Sequence, residues 1–259
     1  MKPTALVRIV SLLIVAVATT AVALAQRAPA IAATHVDPAV LAQVCAPVAA
    51  TAATEPAGPL RITGGQDTQA RESFTQGDFV TLNAGRNQGI QIGQEFFVRR
   101  LQTTRGPTAA PQPPRNIRTA GWIKVYAVDD DLALATITYS CDAMRVNDYL
   151  EPMTLPTPVV PGPVQGKPDR TSYARVVMGN DRRFEFSPGD FLVIDQGSAQ
   201  GITPGAHFVI YRWKKKAPDN FLAAIGEAVA ASVQPDSATL SITSARDSIV
   251  PSDLVAMRK

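Results

Sequence analysis

The stretch "GDFVTLNAGRNQGIQIGQEFFVRR" at residues 77–100 recurs 112 residues later as "GDFLVIDQGSAQGITPGAHFVIYR" at residues 189–212. The two stretches share ten identical residues in 24 positions without a gap. Residues 120–150 align in the same order with residues 225–255, at a spacing of 105. Because both halves recur in order, we predict a duplicated domain. The seven-residue difference in spacing predicts a longer loop between the halves of the first copy.

Glycines recur at every fourth position within both stretches. They are Gly85, Gly89, Gly93, Gly197, Gly201 and Gly205. A phosphate-binding loop would end in Gly-Lys-Ser/Thr and a dinucleotide site would read G-x-G-x-x-G, and neither pattern occurs here. Strand-like residues flank both stretches, so we interpret these glycines as structural turn residues that supply positive φ. Ile90 and Ile202 are predicted to plug the end of a barrel.

Alternating apolar residues predict a β-hairpin in the second half of each copy. The turn "DDD" separates "GWIKVYAV" (121–128) from "LALATITY" (132–139), and "QPDS" separates "GEAVAASV" (226–233) from "ATLSIT" (238–243). Each copy should therefore hold about five or six short antiparallel strands. The predicted fold is all-β: two tandem small β-barrel or sandwich-like domains from an internal duplication, plus a short N-terminal helix.

Composition divides the chain into five segments. We predict a signal peptide at 1–25, an Ala/Pro-rich N-terminal segment with a short helix at 26–59, β domain repeat 1 at 60–152, a Pro-rich linker at 153–171 and β domain repeat 2 at 172–259. Asp37 and Pro38 supply an N-cap oxygen and a first-turn proline, which favour the start of the helix. The proline density of the linker predicts an extended spacer.

The first 25 residues have the features of a secretory leader. Lys2 and Arg8 precede an apolar run from Ile9 to Ala25 that ends in small residues, so we predict cleavage after Ala25. The 17 residues of this run fall short of the roughly 20 that span a bilayer, and a retained anchor is the alternative. We expect a periplasmic or secreted protein with no transmembrane span after cleavage.

Cys45 and Cys141 are the two cysteines of the chain. In an oxidising compartment they most simply form one disulfide, and two buried free thiols are the alternative. The sequence has no Cys-x-x-Cys, and neither histidine has the spacing of a zinc ligand. We therefore expect no metal and no cofactor.

Basic residues concentrate in the loop that is predicted between the two halves of each copy. These candidate anionic-surface residues are Arg99, Arg100, Arg105, Arg115 and Arg118 in the first copy and Arg212, Lys214, Lys215 and Lys216 in the second. We predict contact with lipid, lipopolysaccharide, wall glycan or an acidic partner, and two merely solvated loops are the alternative. The whole chain carries a formal charge of +3, and +1 once Lys2 and Arg8 leave with the leader, which argues against nucleic acid.

Each copy has a strand that ends at Asn/Asp-x-Gly, then x3-Gly-Ile-x2-Gly, a Phe-containing strand, a loop and a hairpin. A closing turn at Asn147-Asp148 or Ser252-Asp253 follows. This pattern resembles the C-terminal β domain of the flagellar assembly protein T family. It also resembles the β-repeats found after LysM peptidoglycan-binding domains. Members of these families are non-catalytic, so the resemblance implies a non-enzymatic envelope module.

No catalytic motif surrounds His35, His207 or Ser198, so we predict that the chain is not an enzyme. The favoured function is a non-catalytic exported cell-envelope protein. It would serve as a structural, scaffold or assembly module through protein or envelope-surface contacts. The alternative is a soluble periplasmic binding module for a glycan or small ligand, which should display a cluster of exposed aromatic residues.

Overall fold

The structure is a computed structural model, and it describes residues 36–50, 60–104, 115–180, 183–215 and 220–259. The predicted signal peptide lies outside these residues, as do Arg105 and Lys216. The described residues belong to one compact unit. Strands make up 49% of the described residues, which contain a single α-helix, so the predicted all-β class is confirmed.

The elements follow one another along the chain in the order that the repeats predict. They are α1 (Pro38–Cys45), β1 (Val48–Ala49), β2 (Ile62–Gly65), β3 (Ser73–Phe74), β4 (Phe79–Leu82), β5 (Glu95–Thr103), β6 (Arg115–Val128), β7 (Ala133–Ser140), β8 (Met144–Arg145), β9 (Tyr149–Pro152), β10 (Ala174–Gly179), β11 (Phe191–Ile194), β12 (His207–Lys215), β13 (Asn220–Val233), β14 (Ala238–Ala245) and β15 (Leu254–Met257).

The two copies have the same topology. Neighbouring strands follow the order β2-β4-β7-β6-β5-β9 in the first copy and β10-β11-β14-β13-β12-β15 in the second. Matched strands also have equal lengths, with nine residues in β5 and β12 and fourteen in β6 and β13. The equal order and lengths confirm the predicted duplication.

The two sheets close in related ways. In the second copy β10 pairs with β15 and completes a six-stranded barrel. The first sheet curls until its ends meet, where Leu150 N donates to Leu60 O at 2.8 Å and Ile62 N donates to Asp148 O at 3.0 Å. Alternate strand residues point inward and form one apolar core in each copy. Ile90 and Ile202 belong to these cores, as the plug interpretation predicts.

The turn glycines act in two ways. Gly89, Gly93, Gly201 and Gly205 have φ between 81° and 86°, the left-handed region that favours glycine. Gly85 and Gly197 differ from the prediction, because their φ values of −136° and −142° are not positive. At these two positions an added Cβ would overlap a backbone carbonyl, that of Asp129 or of Gln234, so close approach is what requires glycine.

The short helix and the disulfide form as predicted. Asp37 caps α1 by accepting a hydrogen bond from Ala39 N at 2.7 Å, and Pro38 occupies the first turn. A disulfide joins Cys45, at the end of α1, to Cys141, so the alternative of two free thiols is wrong. Val40 and Val44 pack against the outer face of the first sheet, on Phe97 and Trp122.

The segment from α1 to β1 also contacts the second copy. Gln43 Nε2 donates to Ala231 O at 2.9 Å. The buried hydroxyl of Thr239 donates to Pro47 O at 2.8 Å. At the end of β5, the Thr104 hydroxyl lies 3.4 Å from Met178 Sδ. The two barrels are therefore packed together through the N-terminal segment and the β5–β6 hairpin.

The predicted linker lies along the second barrel. Lys167 and Lys259 exchange two backbone hydrogen bonds of 3.0 Å, and Pro168 forms a bridge with Arg258. The ring of His207 makes a 2.8 Å hydrogen bond through Nε2 with Gly162 O. The proline-rich segment is extended, as expected, but it is held against the barrel and does not separate two independent bodies.

Candidate functional site

The first predicted basic loop is mostly strand. Arg99 and Arg100 lie on β5, and Arg115 and Arg118 lie on β6, where they flank the β5–β6 hairpin. Strands of nine and fourteen residues could not be predicted here, because glycine and proline at 106–114 interrupt the apolar pattern. This corrects the assignment of Arg99–Arg118 to a loop.

Arg100 is committed to an internal ion pair. Its guanidinium donates through Nε and Nη2 to the two carboxylate oxygens of Asp148, at 2.7 and 2.6 Å, and to Ala143 O at 2.9 Å. The side chain of Asp148 is only 3% exposed, so this bidentate pair is shielded from water. Arg100 closes the barrel and offers little charge to an outside partner.

Other cations of the first copy also meet carboxylates of the chain. Arg99 Nε lies 3.2 Å from Glu151, and its Nη1 donates to the Thr119 hydroxyl at 2.7 Å. Arg118 Nε lies 3.3 Å from Asp142. These carboxylates come from beyond the hairpin in sequence, so counting charges within the predicted loop missed them.

The second copy repeats this arrangement. Arg212 donates through Nε and Nη2 to Asp253, at 2.7 Å each. Lys214 donates to Asp247 at 2.6 Å, and this hydrogen bond lowers the pKa of the Asp247 carboxyl below its ordinary value. In the same way, the hydrogen bond to Asp253 favours the charged form of Arg212 and raises the pKa of its guanidinium. Lys215 ends β12, but the structure does not describe its side chain.

The described residues near the end of the second hairpin include two exposed aromatic side chains. Trp213 is 61% exposed and Phe221 is 48% exposed. Trp213 is paired with Leu222, and Phe221 with Lys214, so the two aromatic side chains lie on opposite faces of the ribbon. We call residues 213–215 and 220–222 the hairpin end of the second copy.

The equivalent residues of the first copy are covered. Ile117 and Asn116, which match Leu222 and Phe221, are 7% and 2% exposed. They pair with Val48 and Ala49 of β1, which adds to the outer edge of β6. No described residue takes the place of β1 beside β13 between residues 220 and 224, and β14 pairs with β13 only from Gly226 onward.

Sequence reasoning missed this open edge and the exposure of Phe221. The signal was present in what precedes each copy. "CAPVAA" (45–50) supplies a cysteine-anchored strand before the first copy, whereas a proline-rich linker precedes the second. The repeats alone could not reveal the difference, because β1 lies outside them.

A polar cleft of about 730 Å³ lies beside β2 and β8 of the first copy. Thr63, Gly64, Glu72, Arg145 and Asn147 are among the residues that line it. Arg71, also in the lining, forms ion pairs with Asp67 and Asp78. The cleft has the size of a small-ligand site, and two of its four charged lining residues, Arg71 and Asp67, form an ion pair with each other.

The described residues contain no group of three or more His, Cys, Asp or Glu side chains placed to bind a metal ion. Within the same residues, no helix has the length and apolar character needed to cross a bilayer. No protein-family model matches this chain, and neither does any curated protein. The resemblance to the flagellar assembly protein T family and to the LysM-associated repeats therefore stays a prediction.

Proposed function

We propose that this chain is a non-catalytic exported cell-envelope protein that serves as a structural, scaffold or assembly module. The observation that supports the proposal is the bare hairpin end of the second copy. The same element of the first copy is buried within the chain's own fold. Exposed Trp213 and Phe221 offer large apolar contact areas of the kind that is enriched in protein interfaces.

The rest of the fold suits this role. The disulfide, α1 and β1 connect the two barrels through covalent and hydrogen-bonded contacts. The second barrel, which bears the hairpin end, is therefore held in place against the first. Lys214, Lys215 and Lys216 directly follow Trp213 in the sequence and add positive charge to this part of the chain. Such a surface suits a partner protein of the envelope, and an anionic surface of lipid, lipopolysaccharide or wall glycan is the competing contact.

The test is photo-crosslinking in intact cells with the probe amino acid at position 213. The matched control places the same probe at Ile92, which is 71% exposed at the end of the first barrel. A discrete protein adduct from position 213 and none from position 92 is expected. Adducts to lipid or glycan alone would make the protein an envelope-surface binder, and no adduct at position 213 contradicts the proposal.

The cleft of the first copy supports a second candidate function, a soluble periplasmic binding module for a glycan or small ligand. Its test is the melting temperature of the full chain in the presence of soluble wall-derived oligosaccharides. A rise that Arg145→Glu abolishes would favour this function, because Arg145 lines the cleft. An unchanged melting temperature with every oligosaccharide rejects it.

A further inference from the structure

The comparison of the two hairpins indicates how a partner would bind. In the first copy, β1 adds to the outer edge of β6 as an antiparallel strand, with Val48 opposite Ile117 and Ala49 opposite Asn116. In the second copy, β13 presents the matching edge at residues 220–224. The same strand edge is therefore covered by β1 in the first copy and, among the described residues, uncovered in the second.

The backbone groups that face this edge can be assigned. Ala50 N donates to Arg115 O at 2.9 Å, which places a hydrogen-bonded pair of β1 and β6 at these two residues. Such pairs alternate along an antiparallel ladder, so Ile117 also presents its N–H and C=O to β1. Leu222 is the equivalent of Ile117. Leu222 pairs with Trp213 and Ile117 pairs with Leu101, and Trp213 and Leu101 occupy the same position in the two copies. Leu222 and Ala224 therefore present their N–H and C=O groups to the open edge.

An open edge of this kind is a site for strand addition unless it is blocked. The edge has no covering strand among the described residues, and an exposed aromatic side chain lies on each face of the ribbon. Ala223 and Ala224 also take the places of Arg118 and Thr119 of β6. These replacements remove bulk from the edge, and the occupant of the matching edge in the first copy is the uncharged, apolar pair Val48 and Ala49, so we expect an occupant of the same kind.

We propose that residues 220–224 of β13 bind an extended, uncharged and apolar segment of another protein, which adds as an antiparallel strand in the register of β1 on β6. This inference rests on the proposed function and specifies its contact. A free segment suits the site better than a barrel strand of a second copy. The edge is open for five residues before β14 pairs with β13 at Gly226, and the strand that fills the matching edge of the first copy, β1, is a two-residue segment outside the barrel path.

The test combines the crosslinking probe at position 213 with a proline at position 224. Ala224→Pro removes an outward N–H and leaves the hydrogen bonds between β12 and β13 intact, because proline is tolerated where the N–H faces away from the sheet. Ala224→Ser, which keeps the N–H, is the matched control. We expect the yield of the protein adduct to fall at least about tenfold with Ala224→Pro and to be unchanged with Ala224→Ser.

A second measurement does not depend on the folding of the proline variant. The exchange rates of the Leu222 and Ala224 amides are measured in the unmodified chain. They are then measured in the purified protein adduct formed by a chain that has the probe at position 213 but no substitution at position 224. Slowing of about tenfold or more at both amides is expected in the adduct.

The outcomes separate the two proposals. An adduct that persists with Ala224→Pro, with unslowed exchange at Leu222 and Ala224, overturns strand addition but leaves the assembly function standing. The absence of any protein adduct from position 213 overturns both. An adduct to a second copy of this chain overturns the assignment of the occupant.

Discussion

Arg212 donates two hydrogen bonds of 2.7 Å to the carboxylate of Asp253, and Arg100 makes the same bidentate pair with Asp148 in the other copy. Each aspartate also accepts a backbone hydrogen bond of 2.8 Å, from Val250 N or from Arg145 N. The pair therefore fastens the closing turn of each barrel to its long hairpin. The duplication has preserved a buried ion pair at the point where the sheet closes.

Removal of one arginine of this pair should be strongly destabilising. Arg212→Met leaves the carboxylate of Asp253 buried without its cation, and Asp253 is only 3% exposed. We expect the free energy of unfolding to fall by about 3 kcal/mol, measured by urea denaturation. Arg86→Met is the control, because Arg86 pairs with Asp130 at the surface and should cost at most about 1 kcal/mol. Equal effects of the two changes would contradict a structural role for Arg212.

Loss of the disulfide should release the N-terminal segment. Cys45 and Cys141 are 96 residues apart, and a bridge that closes a loop of this length contributes about 4 to 5 kcal/mol in the chain-entropy treatment. We expect Cys45→Ser with Cys141→Ser to lower the free energy of unfolding by several kcal/mol. The amide of Leu41, which donates to Asp37 O, should also exchange faster. Unchanged exchange at Leu41 would show that packing on Phe97 and Trp122 suffices to hold α1.

The two kinds of turn glycine should respond differently to substitution. Gly89 has φ of 83° and open space around it, so Gly89→Ala should cost about 1 to 2 kcal/mol and Gly89→Asn less. Gly85→Ala should cost more than Gly89→Ala, and Gly85→Asn should give no relief, because the added Cβ overlaps the backbone near Asp129. Urea denaturation of the four variants measures the order. Rescue of position 85 by asparagine would contradict the close-approach explanation.

The contact between Lys214 and Asp247 should contribute to stability in a defined pH range. The hydrogen bond from Lys214 lowers the pKa of Asp247 below its ordinary value of 3.8 in the folded protein. A carboxyl with a lowered folded-state pKa stabilises the fold above its unfolded pKa, and loses this contribution as the pH falls through the folded value. The melting temperature of Asp247→Asn should therefore lie below that of the unsubstituted protein at pH 7. The gap should narrow once the pH drops below about 3.8. A gap that is independent of pH would assign the effect to something other than this ionisation.

Much of the fold could be predicted because its signals are local and repeated. The alternation in "GWIKVYAV" and "LALATITY" predicted the β6–β7 hairpin, and Asp37-Pro38 predicted the start of α1. Gly89 and Gly201 needed a left-handed conformation that the surrounding strands made evident. The disulfide could be inferred from the cysteine count and the expected compartment.

The candidate site could not be predicted in the same way. Arg100 and Arg212 looked like surface cations because their carboxylates, Asp148 and Asp253, lie 48 and 41 residues away. Sequence reasoning counted charges along the chain, whereas ion pairs form between neighbours in space. The exposure of Trp213 depends on what covers each hairpin, which only the three-dimensional arrangement of the strands decides.

The amino-acid sequence by itself determined the duplication, the pattern of hairpins and turns and the short helix, and it favoured a disulfide between the two cysteines. Each of these depends on residues that are close along the chain, or on composition. The tertiary structure alone decided which cations are neutralised and which hairpin end stays bare. The physical reason is that burial and pairing depend on strands that are distant in sequence: β1 covers β6 in the first copy, and no described residue does the same for β13 in the second.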